Sequence, residues 1–187
     1  MKLVAVATEQ KLHFWLGPAF VTQGWANVQE GRIDEGIAQI QQGLAVYETI
    51  GVRATYAYQS SALVEAHLAR RAPEAGLPIV RAALARSDDL VDCFYEAEIR
   101  RLEGELLRLQ GNEAAAEAAF RDALEIARRQ EARSLELRAA TSRARLVRDR
   151  GRRDQARAAL APVYGWFTEG HDTRDLRTAR ALLAELE

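Results

Sequence analysis

The chain has one cysteine, Cys93, in 187 residues. It cannot close a disulfide within itself, so the fold does not depend on an oxidising compartment and the cytoplasm is the expected location. Charge of one sign is also lacking. The 26 Lys and Arg residues against 27 Asp and Glu leave a formal net charge of -1, which argues against a dedicated nucleic-acid binder, whose phosphate contacts demand a basic excess. Long apolar runs are absent too. Met1 to Ala7 is too short for a signal peptide and runs at once into Thr8-Glu9-Gln10-Lys11, and no stretch reaches the length a bilayer span needs. The three histidines, His13, His67 and His171, lie far apart with no partner at metal-ligand spacing, so no metal or other cofactor is expected. Proline numbers four, and Lys2 and Lys11 are the only lysines. What remains is rich in Ala, Leu, Glu and Arg, all strong helix formers. With 48% apolar and 28% charged residues, it is suited to a buried seam under a solvated exterior.

A repeat organises this composition. Gly31-Arg32 recurs as Gly111-Asn112 and Gly151-Arg152, with Arg71-Ala72 in register between them, a period of 40 residues. Around each turn the same kinds of residue return. Gly24, Val64, Gly104 and Ala144 precede it, Gly36, Gly76, Ala116 and Ala156 follow, and the apolar anchors Ile40, Val80, Phe120 and Leu160 come next. A period in this range with helix formers on both sides of one turn predicts stacked helical hairpins. Small residues at matched positions let two backbones approach and receive a larger side chain from the partner helix. The spacing predicts helices over 12–30, 33–49, 54–70, 74–87, 93–110, 113–130, 134–150 and 153–168. Gly17-Pro18 implies that the first of these kinks or starts at Pro18.

The ends differ from the middle. Val4 to Gln10 aligns with Leu124 to Gln130 three periods on, so residues 1–11 are expected to be the remnant of a preceding repeat helix. Residues 12–170 then hold four hairpins. Asp172 or Thr173 is placed to cap a last helix carrying Leu176, Ala179, Leu182, Leu183 and Leu186, which would close the stack over 171–187.

In the third block Gly104, Leu107, Gly111, Ala116, Phe120 and Ala123 match the spacing of the tetratricopeptide repeat, and residues 12–168 resemble that family. The period exceeds the family's usual 34 residues, and Arg100 stands where its first-helix tryptophan would be. The resemblance implies an all-α fold, a right-handed α-solenoid of about four hairpins with a C-terminal closing helix. A second likeness runs through Ala97 to Leu107, Ala127 to Gln130, Ser134 to Ala140 and Ala161 to Gly170. These segments resemble the C-terminal repeats of large bacterial signalling proteins with an AAA-like ATPase core, often preceded by a class III adenylate or guanylate cyclase domain or a DNA-binding domain. The resemblance implies a C-terminal sensor or scaffold portion. The chain has no Gly-x-x-x-x-Gly-Lys-Ser/Thr loop, so any cyclase or ATPase activity is expected in domains outside it.

The resemblance also implies a site. In tetratricopeptide-like stacks the first helices line the concave surface, which assigns Val21, Trp25 and Val28, then Tyr58, Ser61, Glu65 and Leu68, to a groove. Glu98, Arg101, Glu105 and Arg108 follow from the third block, and Arg138, Thr141, Arg145 and Arg148 from the fourth. Such a groove runs from aromatic and apolar to basic, and it suits an extended or helical peptide with apolar residues followed by acidic ones. Other clusters have plainer readings. Tyr164-Gly165-Trp166-Phe167 reads as the seam under the closing helix, and the arginines from 143 to 157 read as a solvated face near a helix C-terminus. The expected function is therefore a non-catalytic interaction or regulatory scaffold module, its partner a protein, a peptide or a neighbouring domain of the parent, with neither nucleic acid nor membrane. A homodimerisation module using Phe14, Trp15 and Trp25 is the alternative, and a small-molecule sensor a third.

Overall fold

A computed structural model describes residues 2–10, 12–51, 55–87 and 93–187, and among them ten α-helices and no strand occur. They are α1 (Lys2–Glu9), α2 (His13–Gln29), α3 (Ile33–Thr49), α4 (Tyr56–Ala69), α5 (Pro73–Ser87), α6 (Glu96–Leu109), α7 (Glu113–Arg129), α8 (Arg133–Asp149), α9 (Arg153–Gly165) and α10 (Arg174–Glu185). Several expected boundaries differ: α4 begins at Tyr56 rather than 54, which lies outside the described residues, and α9 ends at Gly165 rather than 168. Helix α2 begins at His13 and runs through Pro18. The proline lies early in the helix, so the amide it lacks removes only the bond to the carbonyl of Phe14. Before α6, residues Cys93–Tyr95 form a single 3-10 turn, so the α-helix starts later than 93. The chain divides into two units, Met1–Tyr95 and Glu96–Glu187.

In the first unit α2 pairs with α3 and α4 with α5, while α2 also touches α4, α3 packs on α4, and α1 packs on α2. In the second, α6 pairs with α7 and α8 with α9. There α6 touches α8, α7 packs on α8, and α10 covers α8 and α9. Within each unit, then, first helices neighbour one another and a second helix lies on the first helix that follows it.

The turns explain the period. Gly31, Gly111 and Gly151 have φ of 86°, 77° and 76°, the left-handed conformation that lets a helix end and the chain reverse. After α2 the Gly31 amide donates to the Val28 carbonyl at 3.0 Å and Arg32 to Asn27 at 2.9 Å, and after α6 the Gly111 and Asn112 amides repeat the pattern on Arg108 and Leu107. Arg71 takes the same place with φ 58°, and its amide and that of Ala72 make the same two bonds, to Leu68 and His67. A side chain there strains the backbone by about 1 kcal/mol. Arg71→Gly is accordingly expected to stabilise the first unit by up to about 1 kcal/mol, read as a higher midpoint in urea.

Inside the hairpins the small residues do what their alignment implies. A Cβ built on Gly24 would stand 2.7 Å from the Gly36 carbonyl oxygen, and one on Gly43 2.7 Å from that of Gly17. These pairs bring α2 and α3 to backbone contact at two levels. The four apolar anchors, Ile40, Val80, Phe120 and Leu160, are each 0% exposed, and burying one side chain of that size contributes roughly 1.5–3 kcal/mol. At the far end Leu176, Ala179 and Leu182 of α10 join the core of the second unit, against which Val163, Tyr164 and Phe167 pack. Thr173 occupies the N-cap position of α10 in extended backbone, without a side-chain cap bond.

Candidate functional site: the first-helix faces

In the first unit Trp25 on α2 donates its indole N–H to Glu65 Oε2 on α4 at 2.9 Å, across one repeat of 40 residues. Tyr58 is half exposed and meets Tyr95 edge to face at 5.0 Å between ring centroids. Phe94, also half exposed, tilts against Tyr95 at 5.8 Å. The 3-10 turn thus adds two rings that the helical register alone does not assign to this face. Val21 and Val28, expected in the groove, instead lie in the core with Ile40 and Leu63. Their side chains point to α3 because the glycines at 36 and 43 leave room there, Val21 Cγ2 and Val28 Cγ2 being the atoms a Cβ at those positions would strike. Ser61 turns its hydroxyl back to the Tyr58 carbonyl at 2.7 Å.

The second unit carries charge at the equivalent places, and nearly all of it is matched. Glu98 on α6 is 1% exposed. Its Oε1 accepts from Arg101 Nη2 at 2.7 Å and its Oε2 from Arg101 Nε at 2.9 Å, while Arg138 Nη1 on α8 lies 3.1 Å from Oε1. A carboxylate so deep in the protein persists because two guanidiniums replace its water. Arg101 reaches on to Ser142 Oγ at 3.3 Å and to Glu105 at 3.7 Å. Arg108 lies between Glu105 at 3.4 Å and Asp149 at 3.0 Å. Arg148 holds Asp149 at 2.9 Å and Glu185 of α10 at 2.5 Å. Thr141 is buried and donates to the Leu137 carbonyl at 2.7 Å.

Arg145 is different. Half-buried on α8, it makes no hydrogen bond or ion pair among the described residues. Burial pulls its guanidinium below the ordinary value, Glu105 opposes the shift, and Arg108, Arg101 and Arg148 add to it. Arginine does not give up its proton in proteins, so the result is a cation held where positive charge is poorly compensated. The expected basic end therefore narrows to one residue, because the neighbouring arginines are spent on Glu98, Glu105, Asp149 and Glu185. Some of these partners are local, as Glu98 is to Arg101, and others come from other helices, as Asp149 does to Arg108 and Glu185 of α10 to Arg148, 37 positions away.

Other arginines read as a solvated face have partners. Arg150 bonds Glu113 at 2.9 Å and also Glu117, so it ties α8 to α7 where the turn ends. Tyr164 and Phe167 pack as the expected seam, whereas Trp166 stays outside beneath the Arg133 guanidinium at 5.2 Å. Cys93 is exposed. No group of three or more His, Cys, Asp or Glu residues with metal-binding arrangement occurs among the described residues, and none of the described helices is long and apolar enough to cross a membrane. No protein-family model and no curated protein matches the chain.

Proposed function

We propose that the chain is a non-catalytic interaction module, a tetratricopeptide-like right-handed solenoid that captures a peptide or a neighbouring domain on its first helices. The uncovered aromatic side chains of the first unit support this reading most directly. Trp25, Tyr58 and Phe94 present ring surface to water on or beside α2 and α4, where an apolar partner segment would remove it. Arg145 supports the acidic half of the expected ligand, since a partner carboxylate would supply the counter-charge that the chain does not. Its likeness to the C-terminal repeats of bacterial signalling ATPases and cyclases supports a regulatory role, in which occupancy of rigid hairpins alters an attached catalytic core.

The test is fluorescence anisotropy with labelled peptides of apolar residues followed by Glu and Asp. Arg145→Glu is expected to weaken capture at least 10-fold, the equivalent of about 1.4 kcal/mol, with an unchanged thermal midpoint. Unchanged affinity would discard the acidic half. Arg148 is left intact because it is paired with Glu185 of α10, and reversing it would confuse binding with a changed helix contact. Homodimerisation is the second reading, favoured by Phe14 and Trp15, which meet edge to face at 5.5 Å while 52% and 56% exposed. Light scattering over a dilution series separates the two, a persistent dimer favouring the second.

A further inference from the structure

In the second unit a cleft of about 360 Å³ opens where α7 and α9 lie on α8. Arg121, Leu124, Glu125 and Arg128 of α7, Ala140 and Arg143 of α8, and Ala159 of α9 line it. Three guanidiniums therefore face one carboxylate. Arg143 Nε is buried without a hydrogen-bond partner, and its Nη2 is 3.7 Å from Glu117. A buried donor left unpaired destabilises the protein, and a bound acceptor would recover that loss. Arg128 uses its Nε on Glu136 at 2.7 Å, while Arg121 is exposed and makes no ion pair among the described residues.

The repeat supplies an internal comparison. Two periods earlier, Arg143 and Ala159 correspond to Leu63 and Ile79, and Arg121 and Arg128 to Gln41 and Glu48. Leu63 lies in the core of the first unit, and the partly buried Ile79 packs against that core. The hairpin framework thus closes this place with apolar side chains in one unit, whereas in the other it carries a longer charged residue and a shorter neighbour. Arg143 thus stands where the first unit has a leucine, and Ala159 where it has an isoleucine.

We propose that this cleft binds a small molecule bearing an oxyanion group, a phosphate monoester or a carboxylate, through Arg143 with Arg121 and Arg128. Leu124, Ala140 and Ala159 offer an apolar floor for the body of the ligand, and Glu125 an acceptor for a hydroxyl or amine on it. The volume is at the lower end of those that hold small molecules, larger than an inorganic ion needs. Guanidiniums present paired donors that match phosphate and carboxylate oxygens.

The test is calorimetric titration of the whole chain with phenyl phosphate and, separately, benzoate at constant ionic strength, with sodium chloride as the blank. Saturable binding of either probe is expected, and the tighter one names the group. Arg143→Gln should weaken it at least 10-fold and Arg180→Gln, on exposed α10 surface, less than 2-fold. Ala159→Ile, which restores the side chain present at Ile79, should abolish binding while the protein keeps or raises its thermal midpoint. Absence of saturable binding by both probes, equal losses in Arg143→Gln and Arg180→Gln, or full binding by Ala159→Ile would overturn the site.

Discussion

Gly104→Ala is expected to destabilise the second unit by about 1–3 kcal/mol in the native background and to become neutral or stabilising once Phe120 is cut back to Ala. A Cβ on Gly104 would lie 2.4 Å from Phe120 Cε1, 2.6 Å from Cδ1 and 3.0 Å from Cζ. The ring cannot yield, because Phe120 is fully buried and packs against Ala116, Leu146 and the partly buried Leu107. The strain therefore exceeds the gain of about 1 kcal/mol that Ala has over Gly in a helix. Phe120→Ala alone should cost about 3–5 kcal/mol through lost burial and the cavity it leaves. In that background the added methyl meets empty space and the helix propensity prevails. Urea unfolding of the four proteins reads the cycle, and equal destabilisation by Gly104→Ala in both backgrounds would show that glycine is not there for the ring.

Removing the buried carboxylate should cost more than removing any exposed ion pair. Glu98→Ala strips both Arg101 and Arg138 of their shared partner, and Arg101 is only 11% exposed at the side chain, so water cannot take the carboxylate's place. Breaking one side of such a pair costs about 3–5 kcal/mol. Glu98→Gln, which keeps an acceptor but not the charge, should fall between. The exposed pair Arg32–Glu30, 2.6 Å apart with side chains 47% and 60% exposed, provides the contrast: Glu30→Gln is expected to change stability by less than about 1 kcal/mol. Added salt should reduce the Glu30 effect and leave that of Glu98 nearly unchanged, because screening ions reach only the former.

Helix order and turn positions are legible in the sequence because both rest on local chemistry. Gly31, Gly111 and Gly151 mark left-handed turns, and Arg71 is found there only through the period, since nothing about arginine itself announces that conformation. The anchors Ile40, Val80, Phe120 and Leu160 likewise follow from alignment of the blocks. The site is less legible. Trp25, Tyr58 and Glu65 are on the first-helix face, but Val21 and Val28, one turn away, turn into the core because of glycines in the facing helix. The pairing of Arg108, Arg138 and Arg148 draws on Asp149, Glu98 and Glu185 about one repeat distant, so counting arginines overstates the free charge. Phe94 and Tyr95 escape a helical register because they sit in a 3-10 turn. The cleft beside Arg143 corresponds to Leu63 and Ile79 replaced by Arg143 and Ala159, a difference between repeats rather than a likeness.

Within each unit the first helices of successive repeats lie side by side, so that residues 40 positions apart touch, as Trp25 touches Glu65 and Glu98 touches Arg138. A double-mutant cycle on Glu98→Gln and Arg138→Gln, read by urea unfolding with Arg101 present throughout, tests that contact most directly. Helices in this register predict a coupling of about 1–3 kcal/mol between the two substitutions, whereas additivity within about 0.3–0.5 kcal/mol would mean that the two side chains do not meet and would contradict it.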